Sequence, residues 1–512
     1  MKKLFAILIL APLLAQSLFA ASPRLTNGIN LGAGHNQQPC TTTTACNANV
    51  GQEILYERPT GTGGCNQMWS VDAAGDNSSR VNMSANLIAN GGILLSGVQQ
   101  ITTSLNNGAP QYDSTGAYVL FSAQAVGSGS CAAPRTPGQG VYNNFGVCTV
   151  ASFVMGNTPS CAIIGTPTVC PTGCLRPKIS NDGTTIFWGS VHAGTGGSPW
   201  NYTTCLNWAT VTFGSPSTLG TPHGDVDPQG AGTPCTQSFY EPWDSNGWGG
   251  TTSVFYYQTT MIPNQAFGAL QYLGIGWYNI ATGATGIISP AYGPGGVTAL
   301  ATQATPGSTT VTVASASGTI TSGMIATGNG FESTPILTEV TNVSGSTVTI
   351  SSGTTAAMSS TPVLFYNPCY SEFYAINPQN HDVALTDTGC GLTTVTVTQP
   401  AACNMYTGGP GYEVLDIAMV QAVSGQGFNQ LTYYNVPGTP EYYTQPVETS
   451  TPAWGLNGSY ITFNRCGNCT LQCQIQGFPE SGIVGDLWKY TIVNTPDQME
   501  GLQKVTGKSA VK

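Results

Sequence analysis

Apolar and polar residues alternate in short runs along this chain, and Gly, Pro, Asn, Asp and Ser cluster between the runs. That is the pattern of β-strands joined by tight turns. Three segments fit Pro-x5-Gly-x2-[Ile/Val]-x-[Phe/Trp] without a gap: Pro110…Gly116…Val119-x-Phe121, Pro177…Gly183…Ile186-x-Trp188 and Pro452…Gly458…Ile461-x-Phe463. In each, a turn such as Ser180-Asn181-Asp182-Gly183 separates two extended pieces. The Gly is expected at positive φ, with the alternating apolar residues after it facing a core.

Weaker copies occur at Gly51-x2-Ile54-x-Tyr56, at Pro242 to Gly250 with Phe255, and at Tyr374 to Asn380 followed by Val383-x-Leu385. In the last, Asn380 stands where Gly is expected, as Asn does in left-handed backbone. The turn positions 51, 116, 183, 250, 380 and 458 define six units with a period of about 65 residues. Further strands are expected at Met68–Asp72, Gly276–Ile280, Leu415–Met419 and Leu487–Thr491, and short ones at Gln100–Thr102, Gln430–Thr432 and Gln503–Thr506. These residues resemble the TolB-type β-propeller repeat, whose core is a Ser-Pro-Asp-Gly-like turn before an apolar strand. The resemblance implies an all-β, six-bladed propeller with four strands per blade around a channel. It leaves function open, because propellers carry many activities. The strand near Lys504 to Thr506 is expected to complete the first blade and close the ring.

Residues 296–366 change character: Thr, Ser, Val and Gly dominate, and Gly307-Ser308-Thr309-Thr310-Val311-Thr312-Val313 is echoed by Gly345-Ser346-Thr347-Val348-Thr349-Ile350. Alternating β-branched residues between Gly turns predict a small inserted β-domain. Its modules resemble those of phage-tail and cell-surface proteins, which implies adhesion or lateral contact, with an ornamental insertion as the equal alternative. The chain therefore divides into a targeting segment (1–21), a first propeller part with blades 1 to 4 (22–295), the insertion, and a second part with blades 5 and 6 (367–512).

Composition narrows the partners. Charged residues make up 7% of 512 residues, so exposed helices are excluded. No Lys or Arg lies between Lys178 and Arg465, a span with 14 carboxylates. Nucleic acid is excluded as a partner of that region, and no Gly-rich loop with a Lys points to a nucleotide. Carboxylates without cationic neighbours also predict tolerance of acid. Residues 1–21 carry Lys2, Lys3, the apolar run Leu4–Leu14 and small residues near Ala20 and Ala21, the pattern of a cleaved export signal. Pro12 and the short run disfavour a membrane span. The mature chain is expected to be secreted, periplasmic or at the cell surface. Its 16 cysteines are then expected to form disulfides, with Cys40/Cys46 and Cys170/Cys174 as local pairs and Cys466, Cys469 and Cys473 as further candidates.

Candidate chemistry is sparse. No Gly-x-Ser-x-Gly elbow occurs, which excludes an appended serine hydrolase. Of the four histidines, His35, His192, His223 and His381, the last three are candidates for a cluster in blade loops, with solvent-exposed or capping roles as the plainer alternative. Asp225 and Asp227 begin a partial Ca2+ loop whose twelfth position, Thr236, lacks the expected Glu. No other cofactor is expected. Glu241, Trp243 and Asp244 combine carboxylates with an aromatic platform, suited to a sugar or peptide, and Trp243 equally suits packing between blades. The reading is an exported binding or scaffolding propeller that engages an envelope protein, peptide or glycan. The alternatives are a propeller-based polysaccharide lyase or glycoside hydrolase, and a surface protein that assembles through its insertion.

Overall fold

The computed structural model describes residues 23–59, 66–75, 81–83, 85, 107–123, 144–164, 175–193, 202–226, 241–248, 252–260, 273–288, 297–331, 338–366, 371–388, 416–422, 429–434, 447–467 and 486–493, without 181 and 382. They form a β-propeller arrangement of antiparallel sheets. Sheet 1 holds His35–Pro39, Ile54–Pro59, Asn66–Val71 and Val81–Asn82; sheet 2 holds Asn107–Tyr112, Tyr118–Ala123, Asn144–Thr149 and Cys161–Ile163. Sheet 3 holds Leu175–Ile179, Thr185–Ala193 and Tyr202–Thr212, with its outer edge split into Thr218–Leu219 and His223–Val226. Sheet 4 holds Glu241–Trp248, Thr252–Thr260, Leu273–Asn279 and Thr285–Ile288; sheet 5 holds Ser371–Ile376, Val383–Thr388, Asp416–Gln421 and Asn429–Gln430. Sheet 6 holds Val447–Gly455, Tyr460–Gly467 and Asp486–Val493, and its fourth strand is Arg24–Ala33 from the start of the chain.

The first strands of sheets 1 to 6 neighbour one another in that order, and the sixth returns to the first. They are the innermost strands. Each is out of register with its second strand at one place: 35/38, 108/111, 175/178, 242/244, 372/375 and 450/453. Pro110, Pro177 and Pro452 of the repeat signature sit in three of these irregularities. Proline has no N–H to give to a ladder, so a bulge is where a strand accepts it. Side chains also stitch neighbouring first strands. Gln111 Oε1 accepts the Ile179 N–H at 2.9 Å, Trp454 Nε1 donates to Ala375 O at 2.9 Å, and Thr451 Oγ1 donates to Gln37 Oε1 at 3.2 Å.

Apolar alternation on the second strands fills the spaces between sheets. Val119 and Phe121 pack with Leu55 and Met68 of sheet 1, whereas Leu120 joins Ile186 and Trp188 of sheet 3. Ile461 and Phe463 likewise face sheet 5, with Leu385 and Met419. In all three ungapped copies the signature pair faces the preceding sheet. The sheet 5 copy departs from this. Val383 and Leu385 face sheet 6, and Ala384 faces sheet 4. One extra residue in the turn shifts the strand by one position and swaps its faces.

One expectation changes and another is borne out. The ring is closed by the N-terminal strand, Arg24 pairing with Val493, so sheet 1 is complete from consecutive strands. Gln503–Thr506 lies outside the described residues. The Thr/Val-rich insertion is a closed six-stranded barrel of Val297–Gln303, Thr310–Ala314, Ile325–Gly328, Thr338–Ser344, Thr347–Ile350 and Thr361–Tyr366. The two echoed segments pair directly, Thr310 with Thr349 and Thr312 with Thr347. Their Val311 and Val348 point into a core built wholly from barrel residues.

Candidate functional site

The connections from first to second strands lie on one side of the ring, here termed the turn face. In sheet 2, Asp113 N donates to Tyr118 O (3.0 Å) and Gly116 N to Asp113 O (3.1 Å). The Asp113 carboxylate accepts Thr115 Oγ1 (2.6 Å) and Tyr118 N (2.9 Å). Sheet 3 repeats the plan: Ser180 N donates to Thr185 O (2.8 Å) and Gly183 N to Ser180 O (2.7 Å). Gly116, Gly183 and Gly458 take φ of 74°, 73° and 74°, and Gly51 takes 83°. Position 250 lies outside the described residues. In sheet 5 Asn377 N reaches Val383 O (2.8 Å), six residues on rather than five. The Asn377 carbonyl oxygen of the side chain accepts Gln379 N and Asn380 N, each at 2.9 Å. Asn380 is therefore not the left-handed residue expected, and it is absent from the described residues with positive φ.

These turns interlock. Sheet 1 replaces the short turn by a segment with the helix Thr43–Ala48, capped by Thr42 Oγ1 and closed by the Cys40–Cys46 disulfide. Thr42 Oγ1 donates to Ser114 O (2.6 Å) and Asn49 Nδ2 to Gly116 O (3.0 Å), on the sheet 2 side. On the sheet 6 side, Leu456 N donates to Cys40 O (3.0 Å), and Asn457 N donates to Thr41 O (2.8 Å). A methyl group on Gly183 would stand 2.8 Å from Ser114 Oγ, and one on Gly458 would stand 2.6 Å from Asn377 Nδ2. The repeat's glycines thus serve a close approach between neighbouring turns as well as a backbone conformation.

The opposite face holds the starts of the first strands and the ends of the second strands. His192 lies there, near the end of its strand and paired with Thr203. Glu241 begins the first strand of the next sheet, followed by Trp243 and Asp244, and that strand neighbours the His192 strand. The backbone thus brings His192 and the Glu241–Asp244 segment to one rim. It does not bring the three histidines together. His381 follows the sheet 5 turn on the turn face, and His223 is on the outermost strand of sheet 3. There the exposed His223 ring stacks on Trp208, centroids 3.8 Å apart and planes at 8°. Asp225 shares the His223 strand; Asp227 lies outside the described residues, as do Cys170, Cys174, Cys469 and Cys473. Among the described residues no three His, Cys, Asp or Glu side chains group as metal ligands.

Sequence reading missed two features. Cys148 and Cys161 form a disulfide across the third and fourth strands of sheet 2, a spacing that stands out only once the strands pair. Arg465 lies over Trp488 (3.9 Å) and Tyr434 (5.2 Å), with Tyr434 Oη 3.0 Å from Tyr490 Oη, a cation set among aromatics between sheets 5 and 6. At the sheet 3 turn, burial pushes the Asp182 carboxyl upward. Hydrogen bonds from Ser180 Oγ, Thr184 N (2.9 Å) and Thr184 Oγ1 (2.8 Å) outweigh it and hold the group below the usual carboxylate range.

No protein-family profile and no curated protein matches the chain. Among solved structures it is similar to the Dos1 propeller, at 8% identity and a TM-score of 0.33 over 92% of this chain and 95% of that one. It is also similar to Trypanosoma rangeli sialidase in complex with sialic acid, at 10% identity and a TM-score of 0.31, over 80% of this chain and 57% of that one. A glycoside hydrolase, GH43_12 retrieved from a capybara gut metagenome, is similar at 10% identity and a TM-score of 0.28, over 91% and 95%. The fold assignment stands on the strand ring and sheet order, not on these likenesses. Two disulfides fit an oxidising compartment, extracellular or periplasmic. No described helix is long and apolar enough to cross a membrane.

Proposed function

We propose that this chain is a TolB-like propeller in which each of the six sheets is one blade. It is exported with loss of residues 1–21, and it serves as a binding or scaffolding module for an envelope protein, peptide or glycan. The observation that carries the reading is the asymmetry between the two faces. On the turn face, the described turns hydrogen-bond to or pack against one another, and the backbone that could meet a ligand is committed to neighbouring sheets. On the opposite face the start of the strand that contains Glu241, Trp243 and Asp244 adjoins the strand that ends near His192, a mixture of acidic, aromatic and imidazole residues by sequence. Such a mixture suits contact with sugar or peptide through stacking and hydrogen bonds. Peptide and glycan arrays probed with the mature chain and with W243A and E241Q/D244N test it. Specific ligands whose signal falls at least tenfold in both variants support the reading. Ligands bound equally by all three chains overturn it.

A second reading, glycoside cleavage, draws on the same adjacency of the Glu241 and His192 strands, since such chemistry needs two proton-transferring groups across a bond. Turnover of any array glycan by the parent chain, abolished in E241Q, would favour the enzyme over the binding module. Ca2+ at Asp225 and Asp227 belongs to the proposal as well; a calorimetric titration that shows no Ca2+ binding removes it.

A further inference from the structure

The second strand of sheet 6 turns Ile461 and Phe463 toward sheet 5, so by alternation Tyr460, Thr462 and Asn464 face sheet 1. Tyr460 packs there with Ile54, Tyr56 and Val71, and Asn464 Nδ2 donates to Gly34 O. Elsewhere in the ring the second strands meet their neighbours through apolar side chains: Val119 and Phe121, Ile186 and Trp188, Val254 and Tyr256. The five other seams join sheets that are consecutive in the chain, whereas this one joins its two ends.

The polar row is shut away from solvent. Tyr460 is 7% exposed, and Thr462 and Asn464 are 0%. Tyr460 Oη, Thr462 Oγ1 and Asn464 Oδ1 nevertheless have no hydrogen-bond partner among the described residues, and neither has Trp69 Nε1 on the facing side of sheet 1. Sheets 2 to 5 hold a single such atom among their described residues, Trp188 Nε1. The rims of the seam, by contrast, are bonded directly. Lys489, the cross-strand partner of Thr462, donates Nζ to Ala73 O at 2.7 Å. Thr451 Oγ1 donates to Gln37 Oε1 at 3.2 Å between the first strands, and Asn464 Nδ2 holds Gly34 on the side of the opposite face. The unpaired atoms therefore lie inside a frame of bonds.

Leaving these atoms unpaired would cost the fold the desolvation of each, and protein interiors meet that demand with bound water. The chemistry of the set selects the same ligand. The indole N–H only donates, the amide Oδ1 only accepts, and the two hydroxyls do both. Their common partner must both donate and accept, and it must be small enough to lie between packed sheets. A metal ion fails the first condition, because it would face an indole N–H. We propose that the seam between sheets 6 and 1 is a binding site for ordered water, which supplies the partners of Trp69 Nε1, Tyr460 Oη, Thr462 Oγ1 and Asn464 Oδ1. Water adapts to two surfaces that meet only when the ring closes, where apolar side chains would need an exact fit. This is independent of the ligand reading of the opposite face.

Deuteron magnetic relaxation dispersion of the solvent reads slowly exchanging water on the chain from residue 22 onward, disulfides intact, and urea unfolding reads stability. T462V keeps the shape and removes the hydroxyl, and Y460F removes the phenol O–H and keeps the ring. Each is expected to lose part of the parent's slow-water signal and to unfold at a lower urea concentration, because water with fewer partners binds more weakly. T462S keeps the hydroxyl and is expected to keep the signal. Near-ultraviolet circular dichroism checks that each variant is folded. Hydroxyls that are merely unpaired give the opposite result, since their removal raises the urea midpoint. The proposal is overturned if the parent chain shows no slowly exchanging water, if folded T462V or Y460F unfolds at a higher urea concentration than the parent, or if T462S loses as much signal as T462V.

Discussion

Replacing Gly116 by Ala tests whether the repeat's glycines are required by backbone conformation alone or by contact between turns. An L residue in the left-handed region costs about 1–2 kcal/mol, and that applies at Gly116 (φ 74°) and at Gly51 (φ 83°) alike. The surroundings differ. A Cβ on Gly51 meets nothing within 4 Å, whereas one on Gly116 falls 2.4 Å from Asn49 Nδ2 and 2.8 Å from both Cα and O of Ala45. The Asn49 amide can turn away, with loss of its 3.0 Å bond to Gly116 O, worth about 1 kcal/mol. The Ala45 backbone belongs to a helix fixed by the Cys40–Cys46 disulfide, so it yields only if the whole segment moves and strains the Thr42–Ser114 bond, worth about another 1 kcal/mol. Gly51→Ala should therefore cost about 1 kcal/mol and Gly116→Ala about 3 kcal/mol. Gly183→Ala should fall between, because its neighbour is a movable hydroxyl, Ser114 Oγ. Urea unfolding followed by tryptophan fluorescence, with midpoints compared at constant slope, reads these differences. If the Gly51 and Gly116 variants lose stability equally, within about 0.5 kcal/mol, the interlocking of turns contributes nothing and the argument for a committed turn face fails.

The barrel should be separable: Val297 pairs with Phe365, so its ends meet, and joining residue 296 to 367 through a short Gly-Ser linker should leave a cooperatively folded propeller. Non-native circular dichroism after excision would show that the barrel supports the ring. Peptide mapping without reduction should recover Cys40–Cys46 and Cys148–Cys161, and C148A/C161A should cost about 3 kcal/mol for a bridge of this span; free thiols at these positions refute the pairing. For acid, the Asp182 carboxyl lies below its ordinary range, so its ionised form favours the fold above about pH 4 and that stability is lost as pH falls through the lowered value. The melting temperature of D182N should accordingly approach that of the parent between pH 6 and pH 3; a constant gap sinks the assignment. Burial raises Glu339, whose protonation works in the opposite sense and favours the folded barrel as pH falls, whereas Asp182 shows that hydrogen bonds alone can depress a carboxylate in the span without Lys or Arg.

The repeat was readable because its residues answer to local physics. A Pro without an N–H, a Gly at positive φ and an alternating apolar pair each leave a mark on a single stretch of chain, and Pro177, Gly183, Ile186 and Trp188 show all three. The all-β class, the inserted β-rich segment and the Cys40–Cys46 pair followed for the same reason: alternation and short spacing are local quantities. Where a single residue is added the local mark misleads, and at Asn380 the longer turn moved the strand by one position and turned Val383 and Leu385 toward the other neighbour. Closure by Arg24–Ala33 was invisible, because its partner lies more than 450 residues away and edge pairing leaves no periodic trace. The scatter of His192, His223 and His381 over two faces and an outer edge is likewise a fact of the tertiary structure. Which side chains share a face depends on how sheets stack around the ring, and no stretch of sequence encodes that stacking by itself.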